Sequence, residues 1–371
     1  MSLGLVLVWY AATSEVSWLY LLASWVLAAL VVCLGYALWN RSGLTLHLGV
    51  RSVRHAEGSP MEDLPEQVLR TSPMPAPVFE GDGVGLVIGL DTTGGSKGPA
   101  WVAGVVGGAD FAAGTGVVPR LGWRTEVGLP SARRGPVGAT GWRISTSDPL
   151  GFFVSTRRSL DSEVAVVLPR FGSLVDRRQS RELEASAAAP RAGAGNELFG
   201  VREYHSGDSL RRIHWRSSAR RGELVVREYE PPGVQTLAIY VDPAPASTEV
   251  ADQVARLAAS EAWDCIREGG RVVIWSPGLL ATAPNDAREL WVLLEWLARY
   301  PGTPGDDPQP FGAEAVMVSG PSEDPRLVEA IEGARRRGAR TRAWIVSGQT
   351  NEREVELDAP TVRVGLEWPL Q

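Results

Sequence analysis

His205, Ser206 and Asp208 bring the three residue types of a nucleophilic triad within four positions of one another. A nucleophile needs a base within hydrogen-bond reach and an acid that orients that base, and neighbours on one short loop seldom point at a common centre. His205 and His214 are therefore read as polar surface or packed residues, and no catalytic group is expected. Two glycine-rich runs raise the question of phosphate binding. GDGVG, from Gly81, precedes a strand pattern and opens no helix, so it reads as a turn and not as a dinucleotide fingerprint. GGSKG, around Lys97, lacks the glycine spacing of a P-loop. The remaining chemistry is that of arginine. Residues 211–221, RRIHWRSSARR, set Arg211, Arg212, Arg216, Arg220 and Arg221 around Trp215. Such a run suits an anion, either nucleic acid or lipid, each basic residue near a membrane being worth ~1 kcal/mol. Glu197, Glu203, Glu223 and Glu228 are near enough in sequence to neutralise it, and internal ion pairing is the preferred reading.

Whatever these residues do, larger elements must position them. The chain has 371 residues, enough for two or three compact units, and its 44% hydrophobic content and 14 Trp can fill a sizeable core. A net charge of -6 offers no global attraction to nucleic acid, and none is expected as a partner. Cys33 and Cys265 are the only cysteines, which excludes a disulfide framework or a cysteine zinc site and fits a reducing compartment.

From Val16 to Trp39 the chain carries no charge over 24 residues. At ~1.5 Å per residue that is about 36 Å, enough to cross a ~30 Å hydrocarbon core with some tilt. Trp18 and Tyr20 near one end and Tyr36 and Trp39 near the other stand where interfacial anchors stand. Arg41, Arg51 and Arg54 follow the span, whereas Glu15 precedes it, so the positive-inside rule puts the long C-terminal part in the cytoplasm and the protein in the plasma membrane. Leu3–Ala12 is a second apolar piece, too short to span, and reads as the end of a helix that begins upstream. It has no basic n-region, so signal-peptide cleavage is not expected.

The expected fold class is multi-domain α+β. A transmembrane helix or hairpin (1–40) precedes an antiparallel β-sandwich-like domain (44–183), in which short alternating runs such as LTLHLGV, VGLVIGL and VAVVLP are split by Gly and Pro. After the small-residue linker EASAAAPRAGAG comes a dense charged segment (195–235), then a doubly wound α/β domain (236–371). In that last part strands TLAIYV, RVVIW, AVMV and TRAWIV alternate with helices through Val254–Ile266, Leu290–Leu297 and Leu327–Ala334.

The charged segment carries Gly200, Arg202-Glu203-Tyr204, Gly207-Asp208, Arg211-x-Ile213-x-Trp215, Ala219-Arg220 and Gly222-Glu223-Leu224-x-Val226-Arg227. This pattern resembles the signature of the bacterial membrane-protein family catalogued as domain of unknown function 58. Upstream, Asp148-Pro149-Leu150-Gly151 is similar to the hallmark that ends the family's β-domain. The resemblance makes Arg202, Glu203, Tyr204, Gly207, Asp208, Arg211, Trp215, Arg220, Glu223 and Arg227 the candidate binding or structural residues. It also implies a C-terminal region similar to a von Willebrand factor A domain, a partnership with a MoxR-type AAA+ ATPase in a cell-envelope or transport system, and no enzymatic activity. A von Willebrand A metal site uses Asp-x-Ser-x-Ser after its first strand, because Mg²⁺ needs several oxygen ligands in octahedral array. Here Asp242 is followed by Pro243, Ala244, Pro245 and Ala246, Ser247 and Thr248 lie one step too far, and Ser319-Gly320 stands where a second aspartate is expected. Asp242 is thus read as a strand-end or helix-capping residue, and no metal or cofactor is expected. The resulting expectation is a membrane-anchored, non-catalytic scaffold or adaptor. Anion binding through the arginine-rich signature and metal-dependent adhesion are the alternatives, and oligomeric state is left open.

Overall fold

In the computed structural model the described residues are 6, 9, 10, 13, 17–74, 76–129, 133–175, 198–203, 218, 225–229, 236–276, 279–282, 288–301, 312, 314–320, 325–347 and 357–370. The protein is a mixed α+β chain that divides into two compact units. The first comprises residues 1–54, 83–132 and 136–166; the second comprises 55–82, 133–135 and 167–371.

The first unit opens with α1 (Ser17–Arg41), whose stretch from Trp18 is long and apolar enough to cross a membrane. Strands β1 (Leu44–Arg54), β3 (Gly83–Thr92) and β6 (Trp123–Leu129) form one antiparallel sheet, with β3 central and Leu86, Ile88 and Leu90 fully buried on one of its faces. In a second antiparallel set, β4 (Ala100–Val106) pairs with both β5 (Ala109–Thr115) and β7 (Gly135–Ser147), and β7 pairs with β8 (Val154–Arg158). LTLHLGV and VGLVIGL of the sequence are β1 and β3; the period of two shows plainly in β6, which alternates half-buried and exposed residues, whereas the central β3 is buried at nearly every position from Val84 to Leu90. GDGVG is the turn the sequence suggests, with Gly81 at φ +83° and β3 beginning at Gly83.

The second unit is built on a six-stranded sheet of order β14-β13-β12-β15-β16-β17. Here β12 is Thr236–Val241, β13 Arg271–Ser276, β14 Leu279–Thr282, β15 Glu314–Ser319, β16 Arg340–Val346 and β17 Thr361–Val364. All neighbours are parallel except β13 and β14. Three helices connect the strands: α3 (Thr248–Arg267), α4 (Glu289–Arg299) and α5 (Pro325–Arg336). Leu327, Ala330, Ile331 and Ala334 of α5 pack on Tyr240, Trp275, Met317 and Ile345. Trp344, one residue out of step with Ile345, donates its indole N–H to Glu261 of α3 at 2.7 Å, so α3 covers the opposite face. Strands buried on both faces read as continuous apolar runs, as in TLAIYV and AVMV. Residues 55–82 also belong to this unit: β2 (Val78–Phe79) pairs in parallel with Val167 and Leu168 at the end of β9 (Ser162–Leu168), and the short α2 (Glu66–Leu69) brings the Val68 carbonyl 3.0 Å from the buried indole of Trp291.

Candidate functional site

Strand order in the sheet reverses at β12, which lies between β13 and β15, and ligands of open α/β sheets gather beyond the strand ends at such a switch point. Asp242 follows β12 there, buried. Its Oδ1 accepts the Ala244 N–H at 2.8 Å; its Oδ2 accepts the Gly320 N–H at 3.1 Å and faces the Ser319 hydroxyl at 3.5 Å. Tyr300 donates its hydroxyl to the Asp242 carbonyl, and burial pushes that phenol well above its usual range. Asp242 is therefore a strand-end residue that ties β12 to β15. The helix cap is Ser247, whose Oγ accepts the Val250 N–H at 3.3 Å. Among the described residues no three His, Cys, Asp or Glu side chains gather as metal ligands.

Of the signature, Arg202, Glu203 and Arg227 fall on described backbone. Near its two ends, β10 (Leu198–Glu203) and β11 (Val225–Tyr229) form a two-stranded antiparallel ribbon. Its register sets Arg202 opposite Val226, Glu203 opposite Val225 and Arg227 opposite Val201. Tyr204, Gly207, Asp208, Arg211, Trp215, Arg220 and Glu223 lie outside the described residues, as do His205, Ser206 and His214.

Two constellations that sequence reasoning missed are visible. In the second unit α3 is buried nearly all round, yet it carries Asp252, Gln253, Arg256, Ser260, Glu261 and Asp264. Each has a partner. Arg256 holds Glu80 bidentately, Nε to Oε2 at 2.9 Å and NH2 to Oε1 at 2.5 Å, while its NH1 reaches Gln253. Asp252 accepts from Arg134 at 2.9 Å, and the same guanidinium donates to the Tyr300 carbonyl at 2.6 Å. Ser260 and Asp264 accept the N–H groups of Gly172 and Leu174, and Glu261 binds Arg342 at 2.6 Å. Burial of this kind is tolerated because every charge is paired and hydrogen-bonded. Burial still pushes the Asp252 carboxyl up, a tendency Arg134 only partly opposes.

In the first unit the end of α1 is locked to the β-strands. Fully buried Asn40 donates to the carbonyls of Ser147 at 3.0 Å and Pro99 at 3.3 Å and accepts the Gly98 N–H at 2.8 Å. Lys97 donates to the Trp39 carbonyl and lies over the Trp39 ring; burial lowers its pKa. Gly98 is required here, since a Cβ would sit 2.4 Å from the Tyr36 hydroxyl. Asp148 closes the turn between β7 and β8: its Oδ1 accepts from Phe153 at 2.6 Å, its Oδ2 from Leu150 at 2.9 Å, and its backbone carbonyl from Gly151. Burial would raise the Asp148 carboxyl, but the Phe153 and Leu150 N–H groups together with Cys33 outweigh it and hold the pKa below the usual value.

The class these features define is a chain with an apolar helix seated on antiparallel sheets and a separate α/β unit whose strand-end carboxylate is spent on internal bonds. Residues 200–285, from the ribbon through β14, match the family model described as "Protein of unknown function DUF58". The chain is also similar to the uncharacterized protein YeaD of Bacillus subtilis (strain 168), 25% identical over 139 residues. That alignment covers 37% of this chain and 34% of the relative, so the chain spans about a third of the relative's length.

Proposed function

We infer that this chain is a membrane-anchored, non-catalytic scaffold or adaptor whose soluble region faces the cytoplasm and acts by binding other proteins, with a AAA+ ATPase of the MoxR type as the partner class. The observation that carries this reading is the state of Asp242. At the switch point of the sheet, where topology favours a ligand, the carboxylate already accepts two backbone N–H groups, and Ala244 and Ala246 supply no side-chain oxygen. A hard divalent cation would have to displace those bonds and complete its shell with water. The parallel sheet with helices on both faces supports a von Willebrand A-like reading of the second unit, here serving as a protein-docking module without metal. The apolar α1 and the arginines that follow it support anchoring with this orientation.

Calorimetric titration of the full chain in detergent with Mg²⁺ and Mn²⁺ tests the reading. No heat of binding and no cation-dependent rise in melting temperature are expected. Heat that disappears in Asp242→Ala would replace it with metal-dependent adhesion.

A further inference from the structure

The turn between β7 and β8 exposes large apolar side chains: Leu150 is 65%, Phe152 62% and Val154 58% exposed. Single exposed apolar residues are ordinary, whereas three on one short tip need an occupant. The position of the tip identifies one. Ser147 accepts the Asn40 side-chain N–H at the end of α1, and Asp148, one residue further, lies close enough to Cys33 of the same helix for the two to influence each other's proton affinity. Cys33 lies eight positions, or about 12 Å of helix, before Arg41. The tip therefore points back along α1, from its charged end toward its apolar middle.

We propose that Leu150, Phe152 and Val154 are inserted in the acyl–headgroup boundary of the bilayer that α1 crosses, making the β7–β8 turn a second membrane contact beside the helix. The proposal rests on the membrane-spanning reading of α1 and adds a lipid-binding site to it. Two further observations support it. The polarity of β8 is graded: Val154 stands at the tip end and Arg157 and Arg158 at the other, with Arg143 paired across from Arg158. At ~3.3 Å per residue the apolar and basic ends are about 13 Å apart, which suits an acyl boundary followed by anionic headgroups. Asp161, the nearest acid in sequence, accepts the Gly141 N–H at 3.0 Å. Three N–H groups of the tip are also satisfied within the protein. Asp148 accepts the N–H groups of Leu150, Gly151 and Phe153, and Pro149 has none to satisfy. In hydrocarbon each such group must find its partner within the protein.

The full chain, reconstituted in vesicles of phosphatidylcholine and phosphatidylglycerol with a diazirine-bearing acyl chain, is irradiated, cleaved after arginine and mapped by mass spectrometry. Adducts are expected on the peptide ending at Arg41 and on Ile144–Arg157, at least about tenfold above those on Ser159–Arg170, which carries the exposed Leu160 at the far end of β8. Adducts on the Arg41 peptide without any on Ile144–Arg157 would overturn the tip contact and leave the anchor standing. Absence from both would overturn the spanning reading of α1, and the tip contact with it.

Discussion

Lys97 Nζ sits 2.8 Å from the carbonyl oxygen of Trp39 and 3.8 Å from the centroid of the Trp39 ring. The chain's one lysine thus serves the last turn of its apolar helix, where carbonyls lack intrahelical donors and the helix dipole favours a cation. The GGSKG run owes its lysine to this contact.

Lys97→Met keeps the aliphatic stem over the ring and removes the charged donor. A hydrogen bond to a charged group contributes ~1.5–3 kcal/mol, offset in part by the desolvation that lowers the lysine pKa. A net loss of about 1 kcal/mol is expected, read as a lower melting temperature of the full chain in detergent. An unchanged or higher midpoint would show that the cap contributes nothing.

Two buried carboxylates give opposite pH signatures. Asp148 has a lowered folded pKa, so below ~pH 4 the unfolded state binds the extra proton; its stabilisation is complete above the unfolded pKa and is lost as pH falls through the folded value. Asp252 has a raised folded pKa, so its contribution is complete below the unfolded pKa and is lost as pH rises through the folded one. Asp148→Asn should flatten the acid limb of the stability profile, and Asp252→Asn should raise stability at neutral pH relative to acid. Identical slopes for wild type and both variants would refute the assignment.

Glu80 and Arg256 are 176 positions apart in the chain and form a bidentate pair with little solvent access. Removing one partner leaves a buried charge uncompensated, which costs ~3–5 kcal/mol, whereas replacing both with apolar groups costs much less. Glu80→Gln and Arg256→Met are each expected to be strongly destabilising, and Glu80→Leu with Arg256→Met to recover much of the loss in chemical denaturation. Additive losses would mean that the two residues act separately.

That pair also shows where sequence reading stops. Helices α3 to α5 were legible from their 3.6-residue apolar periodicity, and strands β12, β13, β15 and β16 as short, continuous apolar runs alternating with them. β14 and β17 have four residues each and no such pattern. The burial of the polar residues of α3 was not legible, since nothing local shows that Glu80, Arg134, Gly172 and Leu174 come to cover them. The missing serines alone left Asp242 readable as a strand-end or helix-capping group; the choice between them, and its tie to Gly320, needed the Ser247 cap and the pairing of β12 with β15. Asp148-Pro149-Leu150-Gly151 was recognisable as a motif; its role as a turn closed by one carboxylate, with Gly151 at φ +75°, was not.

The proposed function is that of an adaptor working through a protein partner. Its most direct test is crosslinking in intact cells, followed by detergent extraction, purification of the full chain and identification of whatever is covalently attached to it. The account predicts a AAA+ ATPase joined to the soluble region, recovered from the membrane fraction. Recovery of the chain from that fraction with no protein attached, under conditions that capture a known complex in the same cells, would contradict it.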